Sequence, residues 1–114
     1  MTAVIGLDIS IAPAGPDDGP AIDALLARCS VQTRYHRFFS PVCLLPLEYR
    51  AGVLAGDPAR HDALLAREGP DGAVIGLASL VSGPGPAELG VLIQDDRQRQ
   101  GIGTSLVGEL VERA

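Results

Sequence analysis

The sequence predicts an α/β fold, a mixed and mainly antiparallel sheet flanked by helices. Three observations carry this: an apolar alternation of period two near the start, helical apolar spacing in separate segments, and three strand-like segments in a row joined by Gly/Pro turns. Leu7, Ile9 and Ile11 alternate with Asp8 and Ser10, as in a strand with one buried face, and the stretch from Pro13 to Pro20 ends it. Asp18 or Gly19 is then placed as an N-cap, with Pro20 in the first turn and Ile22, Leu25, Leu26 and Cys29 on one helical face. Ser30 can cap a second short helix, where Tyr35, Phe38 and Phe39 have core spacing and His36 reads as a surface histidine. A third helix is expected from about Leu47 to Ala55, before Gly56 and Pro58.

HDALLARE, AVIGLASLVS and AELGVLI follow as strands of an antiparallel meander. The unbroken run Val91, Leu92, Ile93 is expected of a central strand covered on both faces. GIGTSLVGELVERA closes the order as an amphipathic helix, with Ile102, Leu106 and Leu110 on its apolar stripe. No repeat or linker divides the chain, so residues 1–114 read as one domain.

Composition narrows the function classes. Of 114 residues 46% are hydrophobic, which argues against disorder, and no apolar run approaches the ~20 residues of a membrane span. The nine basic residues are all arginines, dispersed under a net charge of −5, which argues against a nucleic-acid footprint. Cys29 and Cys43 have no metal-ligand spacing and read as small buried hydrophobes. With no secretory signal at the start and no disulfide framework, a cytoplasmic location is expected.

The informative join is VLIQDDRQRQGIGTSL, an apolar strand leading through a polar loop into a helix opened by Gly101 and Gly103. The first turn of a helix leaves N–H groups without intrahelical acceptors, and the peptide dipoles add roughly half a positive charge there. An anion such as a pyrophosphate fits if side chains stay clear, which two glycines permit. On their own the glycines read as an ordinary turn, and the spacing is neither GxGxxG nor a P-loop. Asp95 and Asp96 read as residues that solvate the loop.

Gln98, Gly101 and Gly103 form QxxGxG between an apolar strand and an amphipathic helix. Together with the element order, this resembles the GNAT superfamily of acyl-CoA-dependent N-acyltransferases over nearly the whole chain. SVQTRYHRFFSP and AELGVLIQDDRQRQGIG are similar, more narrowly, to the GNAT domains of bacterial protein-lysine acetyltransferases. The resemblance implies transfer of an acetyl group from acetyl-CoA to a primary amine, with protein lysine as a possible acceptor class. It implies that the backbone of Val91 and Ile93 orients the thioester and pantetheine. It places the diphosphate on Gln98, Arg99, Gln100, Gly101, Ile102 and Gly103, with Thr104 and Ser105 as further donors. Arg99 also has a physical case, since a guanidinium suits phosphate.

Glu88 stands ten residues before Gln98, where the family's lysine acetyltransferases carry a glutamate, and the resemblance makes it the general base. A lysine amine has an unperturbed pKa near ~10.4, so a positioned carboxylate is needed to free the nucleophile at neutral pH.

Members of this superfamily usually continue into a further strand and helix that supply one side of the cofactor cleft and often a thiolate-protonating tyrosine. Neither Tyr35 nor Tyr49 matches that tyrosine. The chain is therefore expected to represent the N-terminal half of the fold, with a homodimer or another chain completing the sheet. A strictly monomeric species in light scattering at high concentration, with normal stability, would overturn that expectation. The alternative from a different class is a non-catalytic acyl-CoA-binding module, or an inactive half-domain that needs its partner half.

Overall fold

The computed structural model describes residues 3–5, 9–38, 46–69 and 72–113. Along the chain run β1 (Ala3–Ile5), β2 (Ile9–Pro13), α1 (Gly19–Arg28), α2 (Val31–Phe38), α3 (Leu47–Ala55), β3 (His61–Glu68), β4 (Val74–Val81), β5 (Glu88–Ile93) and α4 (Ile102–Arg113), with 3-10 turns at Pro16–Asp18 and Asp95–Arg97. The five strands make one sheet in the order β1-β2-β3-β4-β5, every neighbouring pair antiparallel. The order read from the sequence is thus reproduced, with one addition: β1 pairs Ala3 with Ile11 and Ile5 with Ile9. Three residues are too few to show a period, so this strand left no pattern to read. Leu7, Asp8, Phe39 and Cys43 lie outside the described residues.

β3 is buried over its first six residues because helices cover both faces of the sheet. Ala63 and Leu65 face one core with Ile22, Leu25 and Leu26 of α1 and Val53 of α3. Leu64 and Ala66 face another, with Ile102, Leu106 and Leu110 of α4. Leu64 and Leu65 are adjacent in sequence and 1% and 0% exposed, which only a sheet covered on both sides permits. β4 carries a bulge: Ala66 opposes Gly76 while Arg67 opposes Val74, leaving Ile75 unmatched. Val74 accordingly joins the α1 core and Ile75 the α4 core. At the far end of α4, Arg113 grips Asp62 of β3 through Nε and Nη2 at 2.9 and 3.0 Å.

The Val91–Ile93 strand is covered on both faces as expected, and although it is not central in the strand order it has the open edge that a half-fold awaiting completion by another chain implies. β5 is the last strand, with an edge that no other strand covers among the described residues, and only Leu92 of it is fully buried. Its apolar run reflects helices on both faces, since Leu92 packs into the α1 core while Val91 and Ile93 pack against the α4 core. Apolar faces do not imply neighbours at both edges. Tyr35 is a correction: at 52% exposed it lies outside the core, because α2 turns only one side toward β5. Cys29 is buried as expected. Burial first, and the Asp95 carboxylate second, push its thiol up to about 11, which keeps it protonated and inert.

Candidate functional site

The bond from the Gln94 N–H to the Ile75 carbonyl, 2.9 Å, sets the phase of the β4–β5 ladder. By the alternation of an antiparallel pair, Glu88, Gly90 and Leu92 turn their backbone groups toward β4. Leu89, Val91 and Ile93 turn theirs to the open edge. The two residues singled out for backbone contacts, Val91 and Ile93, therefore both present main-chain groups outward. Along this edge runs a cleft of about 700 Å³. Its walls are the α2 face carrying Thr33, His36 and Arg37, Tyr49 of α3, and β5 itself from Glu88 to Ile93.

Side-chain parity puts Glu88 on the same face of β5 as Gly90 and Leu92, toward α2 and α3. Gly90 is where Arg37 crosses the strand: a Cβ there would lie 2.2 Å from the guanidinium Nη2, so only glycine leaves the space. The Arg37 guanidinium also lies over the Tyr49 ring, 4.9 Å from its centroid. The Tyr49 hydroxyl shares a 2.6 Å hydrogen bond with Ser79, the residue opposite Gly90 in the ladder. The His61 ring stands 5.0 Å from that of Tyr49, with Nε2 buried and without a hydrogen-bond partner. Burial foremost, and then the Arg37 charge, lower the His61 pKa, against a pull from Asp62 that raises it. The cleft thus brings together a carboxylate, a guanidinium and a phenol from three elements, with the His61 ring packed beside the phenol.

At the other end of β5 a smaller hollow of about 190 Å³ opens against the start of α4. The Ser105 N–H donates to the Gly101 carbonyl at 3.0 Å, which makes Gly101 the N-cap. The N–H groups of Ile102, Gly103 and Thr104 then have no acceptor within the helix. Gly101 has φ +85°, a conformation that costs any residue with a Cβ. Arg99 also has a positive φ, 64°, and its exposed side chain borders the hollow. Ile102 points its side chain into the α4 core, 2% exposed, and so contributes only backbone to the hollow. Gly103 faces β5: a Cβ there would meet Val91 and Ile93 at 3.6 and 3.8 Å, ordinary van der Waals contact. Thr104 borders the hollow, whereas Ser105 spends its N–H inside the helix. Gln100 donates to the Asp96 carbonyl at 3.2 Å and so braces the loop from within.

Gln98 borders this hollow, and its side chain is held by β5 and α2. Its Nε2 donates to the Ile93 carbonyl at 3.0 Å and to the Thr33 hydroxyl at 3.1 Å. The view of Asp95 as a loop-solvating residue is corrected by the same corner. Its Oδ1 accepts the Ser30 N–H at 2.9 Å, and hydrogen bonds from Ser30, the largest cause, hold its carboxyl below the ordinary aspartate value. Ser30 caps α2 as predicted, accepting the Thr33 N–H at 3.1 Å. Sequence reasoning missed this stitching and the Arg37–Tyr49–His61 cluster because the partners are remote, 65 residues apart for Asp95 and Ser30. No local pattern marks them.

Free helix-terminal N–H groups at the start of α4 are thus continuous with an outward strand edge that runs to a carboxylate, and a helix terminus of this kind suits an anion. The chain belongs to the acetyltransferase (GNAT) family, whose model matches residues 25–114. Acyl transfer from acyl-CoA, with acetyl-CoA as donor, is that family's chemistry. Among solved structures the chain is similar to the GNAT domain of S. lividans PAT, with 21% identity over 97% of this chain and 70% of that one, and a TM-score of 0.83. It is similar as well to an acetyltransferase of the GNAT family from Streptococcus pneumoniae, with 22% identity, 92% and 66% coverage and a TM-score of 0.68. A cAMP-binding acyltransferase from Mycobacterium smegmatis matches at 25% identity and a TM-score of 0.59, this chain spanning 33% of its length. No curated protein matches.

Proposed function

We propose that this chain transfers an acetyl group from acetyl-CoA to a primary amine, with a protein lysine as the acceptor class. The observation that carries the reading is the continuity of the α4 N-terminus, the outward edge of β5 and Glu88 along one side of the sheet. The diphosphate lies on the N–H groups of Ile102, Gly103 and Thr104, with Arg99 supplying a mobile cation. The outward main-chain groups of Val91 and Ile93 hold the pantetheine arm and orient the thioester carbonyl. Glu88 takes the proton of the acceptor ammonium, directly or through water, and the freed amine attacks the carbonyl carbon. The new C–N bond forms, the C–S bond breaks with its electron pair leaving on the CoA sulfur, and the second amine proton, shed as the nitrogen becomes an amide, passes through water to that thiolate. The protein-lysine acceptor is supported by the likeness of SVQTRYHRFFSP and AELGVLIQDDRQRQGIG to lysine acetyltransferase domains.

Glu88→Gln removes the base and keeps the shape. Turnover with acetyl-CoA and a lysine peptide, followed by thiol release, should fall by about 10²–10⁴-fold while the Kd for acetyl-CoA stays within a factor of about two. Equal turnover in the two proteins refutes Glu88 as the base.

A further inference from the structure

Gln98 borders both the hollow at the α4 N-terminus and the cleft along β5. Its amide forms part of the partition between them. One amide proton goes to the Ile93 carbonyl, an outward main-chain group at the end of β5, and the other to Thr33 of α2. Thr33 is bound in turn to Ser30, whose Oγ donates to its hydroxyl at 3.2 Å and accepts its N–H, while Asp95 accepts the Ser30 N–H. One turn further on, α2 carries His36 and Arg37, and Arg37 reaches across Gly90 to Tyr49. The loop that frames the α4 N-terminus and the helix that walls the cleft are therefore fastened by three side chains, Asp95, Gln98 and Thr33.

A helix of eight residues has little stability of its own, so α2 depends on these fastenings and on its packing against β5. A ligand that orders the loop consequently orders α2, and by linkage anything that orders α2 favours the ligand. We propose that Gln98 and Thr33 are positioning residues that couple occupancy of the CoA hollow to the placement of the α2 wall, so that donor binding sets the acceptor cleft. This rests on the acyl-CoA reading above.

The test is amide hydrogen exchange of α2 with and without saturating CoA, paired with calorimetric titration of CoA, in the wild type, Thr33→Val, Thr33→Ser and Asp95→Asn. Val keeps the shape of Thr and removes the hydroxyl that receives Gln98, whereas Ser restores the hydroxyl. CoA should slow α2 exchange by about tenfold in the wild type and in Thr33→Ser, and by under about twofold in Thr33→Val, with CoA still bound by all three. Asp95→Asn weakens the same fastening from the loop side and should reduce the response as well, which keeps the test decisive if Thr33→Val fails to fold. A CoA response of α2 that is absent in the wild type, or undiminished in Thr33→Val or, should that variant not fold, in Asp95→Asn, overturns the coupling and leaves the acyl-CoA reading intact. Absence of CoA binding to the folded wild type overturns the acyl-CoA reading, and the coupling with it.

Discussion

Gly90→Ala tests how the cleft floor is assembled. A methyl at this position would stand 2.2 Å from Nη2, 2.4 Å from Cζ and 2.5 Å from Nε of Arg37, where a comfortable contact needs about 3.5 Å. The guanidinium must therefore withdraw by about 1 Å or more. It is the end of a flexible side chain, so the strand has no need to move. Withdrawal forfeits its place over the Tyr49 ring, an interaction worth about 0.5–1 kcal/mol at a part-exposed site. Against this, alanine replaces glycine within a strand, a gain of about 0.5–1 kcal/mol. The two terms oppose and are of one size, so urea denaturation should place the variant within about 1 kcal/mol of the wild type. The Arg37 Nε–H resonance should shift strongly as the guanidinium leaves the ring. A stability loss above about 2 kcal/mol, or an unmoved Arg37 resonance, would show that the strand and not the side chain gives way, and the reasoning would fail.

Two further outcomes follow from burial. Leu106→Ala empties a fully buried site between α4 and the sheet, 0% exposed, and should cost about 2–5 kcal/mol in denaturant unfolding; a loss under about 1 kcal/mol would mean that α4 is not docked as described. The His61 imidazole loses its proton more readily in the folded chain than in the unfolded one, so unfolding takes up a proton as the pH drops through the ordinary value of 6.5. Stability is then whole above about pH 6.5 and falls below it by at most about 1.4 kcal/mol per pH unit from this one group. His61→Phe keeps a ring beside Tyr49 and should flatten that slope just below pH 6.5, whereas an unchanged slope assigns it to other groups.

Much of the fold was legible in the sequence because its signals are local. Ile22, Leu25 and Leu26 fall on one helical face, the GP turns separate the meander strands, and Ser30 stands where a cap belongs; each is settled within a few residues. The glycine-opened junction was legible for the same reason, since a helix N-terminus is a property of one short segment. The run Val91–Leu92–Ile93 did not show strand order because an apolar run reports what covers the faces and is silent about the edges. Tyr35 misled because helical spacing identifies a stripe without saying which stripe meets the sheet.

By itself the sequence determined the element order, the α4 N-terminus with Gly101 and Gly103, and the family that these features mark. That Glu88 shares a cleft with Arg37 and Tyr49 came from the folded arrangement. That arrangement alone showed that Gln98 and Asp95 reach across to α2. The physical reason is the range of the interactions. Periodicity and capping act over one or two turns of chain and leave their mark in consecutive residues. A hydrogen bond between residues 65 apart, as for Gln98 and Thr33, exists only after the sheet has brought its partners together.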